Sequence, residues 1–157
     1  IVDYNYLENG DFETGKPDPW VVTDLAGAEQ LYVENKLSDS LSGSWHYHFW
    51  SPGKNSVEFT LEQTPAELPE GKYQFSISIM GGDAGLSEVY SYVKVDGKII
   101  ATAPMKITSY DAWDTAVIPD ILFSPGQILT VGIYVCCSGE GNGAWGKIDD
   151  AKLNRIY

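Results

Sequence analysis

Four acidic residues near the two ends of the chain are the first with the types and spacing to do chemistry. Asn9-Gly10-Asp11-Phe12-Glu13 sets two carboxylates around one aromatic of the kind that buries, and Ile148-Asp149-Asp150 sets two more beside an aliphatic. Terminal strands of a two-sheet β fold often lie side by side, so acids from both ends would make an oxygen-rich cradle for one hard cation. Ca²⁺ suits such a cradle because it takes roughly six to eight oxygen ligands in irregular geometry. With Phe12 turned inward, Asp11 and Glu13 stand at the sandwich edge, Asp150 arrives on the last strand, and Gly43-Ser44 supplies a backbone carbonyl. Asp11, Glu13, Ser44 and Asp150 are thus the expected ligands of a structural Ca²⁺, which would tie the terminal strands and favour the folded state by mass action. The bland alternative is a set of solvated strand-end acids in an acidic protein.

Aromatic residues carry the second kind of chemistry. Alternation from Ser44 to Trp50 puts Trp45, Tyr47 and Phe49 on one face of a strand and His46, His48 and Trp50 on the other. If the first set is core, an indole and two imidazoles face outward, a costly surface unless something covers it. Sugars are such a cover: the C–H groups of a pyranose face lie well against the negative face of an indole or phenol. Galactose offers a continuous C–H patch because its O4 is axial. Trp145, in a glycine-rich loop, and Trp113, between Asp111 and Asp114, are further platform candidates, whereas Trp20 after Pro17 and Pro19 reads as core packing. His48, Asp83 and Asn142 are candidates for bonds to the hydroxyls. His46 and His48, two apart on one face, have the spacing of a metal pair but no suitable third ligand.

Catalytic patterns are missing from the sequence. It has no nucleophile elbow, no phosphate loop and no Cys-His arrangement. Asp11 and Glu13 alternate as a glycosidase carboxylate pair would, whereas Glu8 and Asp11 do not share a face.

Bulk properties narrow the partners. The 157 residues make one domain over 1–157, and a formal charge of -12 with only ten Lys and Arg opposes binding to nucleic acid or to an anionic membrane. No apolar run reaches membrane-spanning length and the opening IVDYNYLENG lacks the parts of a signal peptide, so the chain reads as mature or cut from a longer parent. Its two cysteines, Cys136 and Cys137, are adjacent; they allow a strained vicinal disulfide or two thiols.

The elements that must hold these residues are short and alternating, punctuated by Gly, Pro, Asn and Asp. Val57, Phe59 and Leu61 mark one strand, and Tyr73, Phe75, Ile77 and Ile79 another, ending in a Gly81–Gly85 loop. A hairpin from about Val89 to Thr102 turns at Asp96-Gly97. Leu129, Val131, Ile133 and Val135 mark a further strand, followed by a flexible 138–143 loop and a closing strand from Trp145. The fold class is all-β, an antiparallel two-sheet β-sandwich of jelly-roll type.

In order along the chain, NGDFETG with Trp20, SGSWHYHFW, GKYQFSISIMGGD and GAWGKIDD resemble carbohydrate-binding module family 61, from about Leu7 to Leu153. The resemblance implies a β-sandwich with structural calcium, no catalysis of its own, and affinity for β-1,4-linked galactan or galacto-oligosaccharide. It also implies a secreted, monomeric module tethered to a galactanase of glycoside hydrolase family 53. Carried over by residue, Glu13 and Asp150 side chains with backbone oxygens near Asp11 and Ser44 would hold calcium. Trp50 and Trp145 would be the platform, with His48 beside it. The Cys136-Cys137 pair departs from the family's general pattern. Two other readings compete: an adhesion-type protein-binding sandwich, and a small jelly-roll glycoside hydrolase or lyase.

Overall fold

The computed structural model describes residues 3–156. Its strands are β1 (Val21–Asp24), β2 (Gln30–Asn35), β3 (Trp45–Trp50), β4 (Val57–Gln63), β5 (Gly71–Gly82), β6 (Ser87–Val95), β7 (Lys98–Met105), β8 (Asp114–Phe123), β9 (Leu129–Cys137) and β10 (Trp145–Ile156), with one 3₁₀ turn at Leu37–Asp39. They form two five-stranded sheets, ordered β1-β4-β9-β6-β7 and β2-β3-β10-β5-β8. Each pair of neighbours is antiparallel.

The alternation that builds this sandwich is the one the sequence displays. Val57, Phe59 and Leu61 are fully buried while Glu58, Thr60 and Glu62 between them are only half-buried. Tyr47, Phe49, Phe75, Ile77, Ile79, Ile133, Val135 and Ile148 fill the layer between the sheets. Trp20 joins them, its ring 5.6 Å from Phe12 and its Nε1–H donating to the Asn9 carbonyl at 2.9 Å. The Asp96-Gly97 hairpin has φ of 51° and 82°, the left-handed pair a two-residue turn of this kind needs.

Three strands differ from the expectation. β1 is short and exposed throughout, and β2 alternates in only six residues, so neither stands out from its loops. β8 contains Pro119, which argues against a strand in a sequence reading. The structure accommodates it on the sheet edge, at a register shift opposite Tyr73 and Phe75 where Asp120 takes φ of 57°. β5 also runs through Gly82, and the turn follows at Asp83.

The chain ends meet. The Gly10 carbonyl accepts from Ala151 N at 2.9 Å, Asn5 Nδ2 donates to the Ala151 carbonyl at 2.9 Å, and Tyr6 N donates to Leu153 O at 2.9 Å. A Cβ on Gly10 would come within 2.1 Å of the Ala151 oxygen, so only glycine allows this approach. β10 bulges here, between Asp149 and Lys152, with Asp150 at φ 55°. Of the two cysteines, Cys137 is buried in the core and Cys136, its strand neighbour, is half-exposed on the outer face; both are free thiols. An extended strand sends adjacent side chains to opposite faces, which keeps the vicinal ring from closing.

In the second sheet Gly146 lies under Phe49, where an added Cβ would fall 2.2 Å from the ring. Gly146→Ala should destabilise the fold by about 1–3 kcal/mol. Thermal unfolding checks this, with an expected drop of roughly 2–4 °C for each kcal/mol in a chain of this size.

Candidate functional site

Because Tyr47 and Phe49 point inward, His46, His48 and Trp50 point out from the second sheet. Register extends these into rows. Trp50 lies beside Gln30 on β2 and Trp145 on β10, and Trp145 lies beside Gly82 on β5. The next row is Tyr32, His48, Lys147 and Met80, and the one after is Glu34, His46, Asp149 and Ser78. The sequence thus places both candidate tryptophans side by side on one sheet face.

The row of His46 and Asp149 is roofed over. Residues 40–42 fold back onto the sheet: Leu41 N and Ser42 N donate to Asp149 Oδ2 at 2.9 and 3.1 Å, and Ser40 Oγ meets His46 Nδ1 at 2.8 Å. His46 and Asp149 are consequently fully buried, and Lys147 is 5% exposed. His46 is not the water-facing imidazole that the alternation suggests, because this segment covers it. Burial pushes the Asp149 carboxyl up to about 7, against the backbone N–H groups that favour its anion.

Lys147 organises what lies beneath the roof. Its Nζ donates to Glu34 Oε1 at 2.6 Å and to His48 Nδ1 at 2.7 Å, and sits 3.6 Å from Asp39 Oδ2. An ammonium donor at Nδ1 requires that nitrogen to be bare, so the His48 proton is on Nε2, donating to Gln30 Oε1 at 2.7 Å. Burial, reinforced by the Lys147 charge, pulls the His48 pKa down to about 4. His46 is lowered too, chiefly by burial, and gives its Nε2–H to Glu34 at 2.7 Å. Burial would raise the carboxyls of Glu34 and Asp39, but it is outweighed by hydrogen bonds, from Lys147 and His46 for Glu34 and from Tyr110 and Lys36 for Asp39.

The tryptophan row stays open. Trp50 and Trp145 are both half-buried rather than sealed in the core. Trp50 Nε1–H donates to the Asn142 carbonyl at 3.1 Å. The Trp145 indole lies against Gly82, where a Cβ would fall 2.8 Å from its Nε1. Asp83, in the left-handed region at φ 51°, places its carboxylate against Gly141 and 3.4 Å from Asn142 N. Trp50, Trp145, His48, Asp83 and Asn142 therefore come together. Trp113 precedes β8 at the edge of the same sheet, and among the described residues it has no ring pair or hydrogen bond with these five.

Residues outside the expected set complete the surface. Tyr110, 54% exposed, stands 6.3 Å from Trp145 at 39°, with its hydroxyl donating to Asp39 Oδ1 and Ser38 O, each at 3.0 Å. Tyr32 stacks on His48 at 4.8 Å, and its hydroxyl donates to Gln30 Oε1 at 3.3 Å. The outward Gln30, Tyr32 and Glu34 alternate with Leu31 and Val33, but over too few residues to stand out; Tyr110, a loop residue, has no periodic signal. Three clefts of about 280–540 Å³ open elsewhere, none of them lined by Trp50 or Trp145.

At the sandwich edge, Glu13 accepts from Ser44 N at 3.0 Å and Trp45 N at 2.8 Å, and Asp11 Oδ1 accepts from Glu13 N at 3.2 Å. Asp11 thus shapes its own loop, while Glu13 ties that loop to the start of β3. Segments 9–13, 41–44 and 149–151 meet here, but among the described residues no three His, Cys, Asp or Glu side chains converge as a metal group. The donors on offer are two carboxylates, Glu13 and Asp150, and main-chain oxygens, a hard-oxygen set of the kind Ca²⁺ accepts.

No protein-family model matches the chain, and no curated protein matches its sequence. Solved structures do match it. TmCBM61 in complex with β-1,4-galactotriose superposes with a TM-score of 0.83 at 28% identity, covering 98% of this chain and 100% of that one. A family 16 carbohydrate-binding module gives 0.55 at 17% identity, with 96% and 100% covered. A cyclase from Fischerella sp. TAU, complexed with 4-(1H-indol-3-yl)butan-2-one, gives 0.66 at 16% identity, with 96% of each chain covered, a likeness of fold. The sandwich is similar over its whole length to that of the galactotriose-bound module, and its fold is shared by the other two.

His48 gives the platform's support a pH signature. An unfolded histidine binds its proton near 6.5 and the folded one near 4, so the unfolded chain takes up more protons between these values. His48 contributes a loss of stability as pH drops from about 6.5 to about 4, while the raised Asp149 carboxyl contributes a gain over the same range, so wild type should lose stability relative to His48→Gln as the pH falls through that window. Denaturant unfolding at a series of pH values measures both slopes; parallel curves would show that His48 does not carry the effect.

Proposed function

We propose that the chain binds β-1,4-linked galactan without acting on it and holds a tethered galactanase at plant cell-wall polysaccharide. The observation that carries this reading is the outward Trp50–Trp145 pair, on paired strands, in a chain similar over its whole length to a module solved with galactotriose. Indole faces stack on the C–H side of galactose. Asp83 and Gln30 offer polar atoms to hydroxyls, and His48, with both ring nitrogens already engaged, fixes Gln30 rather than meeting sugar itself. A platform formed on strands before the ligand arrives loses little entropy on binding. The same reading places the module outside the cell, as a monomer joined to its enzyme.

Replacing Trp50 or Trp145 with Ala should each weaken galactan retention by ~10-fold or more, the loss of an aromatic contact of about 1.5 kcal/mol. Affinity electrophoresis in galactan gels reads this, with the melting temperature as control. Retention equal to wild type in both variants would sink the platform. Incubation with galactan should release no reducing ends, which separates a binding module from a hydrolase.

We further propose that Ca²⁺ sits where the chain ends meet, held by Glu13 and Asp150 with main-chain oxygens near Asp11 and Ser44. Chelation should then lower the melting temperature of the wild type, and Glu13→Gln or Asp150→Asn should abolish that response. A melting curve indifferent to chelator and to added Ca²⁺ would remove the metal from the picture.

A further inference from the structure

The outer face of the other sheet also carries aromatic residues, and the galactan reading leaves them unused. Register sets Thr60, Tyr134 and Tyr90 in one row across β4, β9 and β6, and Glu62, Gly132 and Tyr92 in the next. Tyr90 and Tyr134 are half-exposed, their rings 5.0 Å apart at 31°. Tyr92 reaches across Gly132, where a Cβ would meet its hydroxyl at 2.7 Å, and donates to Glu62 Oε1 at 2.6 Å. Tyr134 donates to Glu58 Oε2. Each carboxylate therefore gives one oxygen to a phenol, and Glu58 Oε1 and Glu62 Oε2 take no donor among the described residues.

We propose that this tyrosine face is a second glycan-contact surface, taking a segment of neutral β-linked polysaccharide. The chemistry of the face selects that occupant. Phenol rings offer stacking to sugar C–H groups, and the two spare carboxylate oxygens accept from hydroxyls. The cation at its centre, Lys94, is already paired with Glu62 at 3.1 Å and lies 5.3 Å from the Tyr92 ring centroid. Polyanions are disfavoured by a chain of charge -12. The surface is independent of the Trp50–Trp145 platform, because the two sheets turn their outer faces in opposite directions. Two such faces on one module would let it bridge polymer segments and raise retention through effective concentration.

Cys136 is a built-in reporter, since it lies on this face between Glu58 and Glu88 while Cys137 is buried. The test measures iodoacetamide alkylation of Cys136 in the wild type and in W50A/W145A, with and without galactan and a panel of neutral β-linked polysaccharides. The expected result is slower alkylation with at least one polysaccharide in both proteins, and a ~10-fold weaker protection in Tyr134→Ala, the loss of one aromatic contact. Tyr134→Phe, which keeps the ring and loses the Glu58 bond, should retain most of it. Alkylation unaffected by every polysaccharide, or protection that Tyr134→Ala leaves intact, overturns the proposal, as does protection by protein partners alone. Galactan retention lost in W50A/W145A bears on the platform only, so the two readings fail separately.

Discussion

A lysine buried in the middle of a sheet governs the binding face. Lys147 is shielded from water, so opposite charges and acceptors must be brought to its amine. Glu34 comes from β2, His48 from β3, and Asp39 from the 3₁₀ turn that follows β2. Asp39 in turn fixes the Tyr110 hydroxyl, so one ammonium sets the position of a loop residue more than thirty residues distant in sequence. The aromatic platform rests beside this polar layer, which holds β2, β3 and β10 in one arrangement. A hydrophobic residue at 147 would satisfy the sheet while leaving Glu34 without its lysine and Asp39 with Lys36 alone.

The second constraint is closure at the chain ends. Gly10 against Ala151 and Glu13 against Ser44 and Trp45 join the first segment to both β3 and β10, the strands that carry the tryptophans. The edge proposed for the cation and the face proposed for the sugar are therefore parts of one mechanical unit. Distortion at the bulge around Asp150 would travel along β10 to Trp145 within a few residues.

Much of this was legible in the sequence because period-two alternation fixes facing without any knowledge of topology. Tyr47 and Phe49 inward, and Trp50 outward, follow from six residues; the meeting of the termini follows from acids placed symmetrically at both ends. Pairing was less accessible. That Trp50 lies beside Trp145, rather than at a distance on the same sheet, depends on register across strands almost a hundred residues apart. The roof over His46 is likewise invisible, since nothing local in Ser40, Leu41 and Ser42 points to Asp149 more than a hundred residues away. Tyr110 escaped because its place comes from a hydrogen bond to Asp39, a long-range contact with no local periodicity.

The neighbouring ends have an architectural result. Tyr4 and Asn154 are hydrogen-bonded at 3.1 Å, so polypeptide arriving at one and departing from the other occupies a single patch of surface. Such a unit can interrupt a host's surface loop as readily as it can trail from a terminus, with both covalent connections on the same side. Recombination could therefore graft it into very different parents without disturbing either hydrophobic interior.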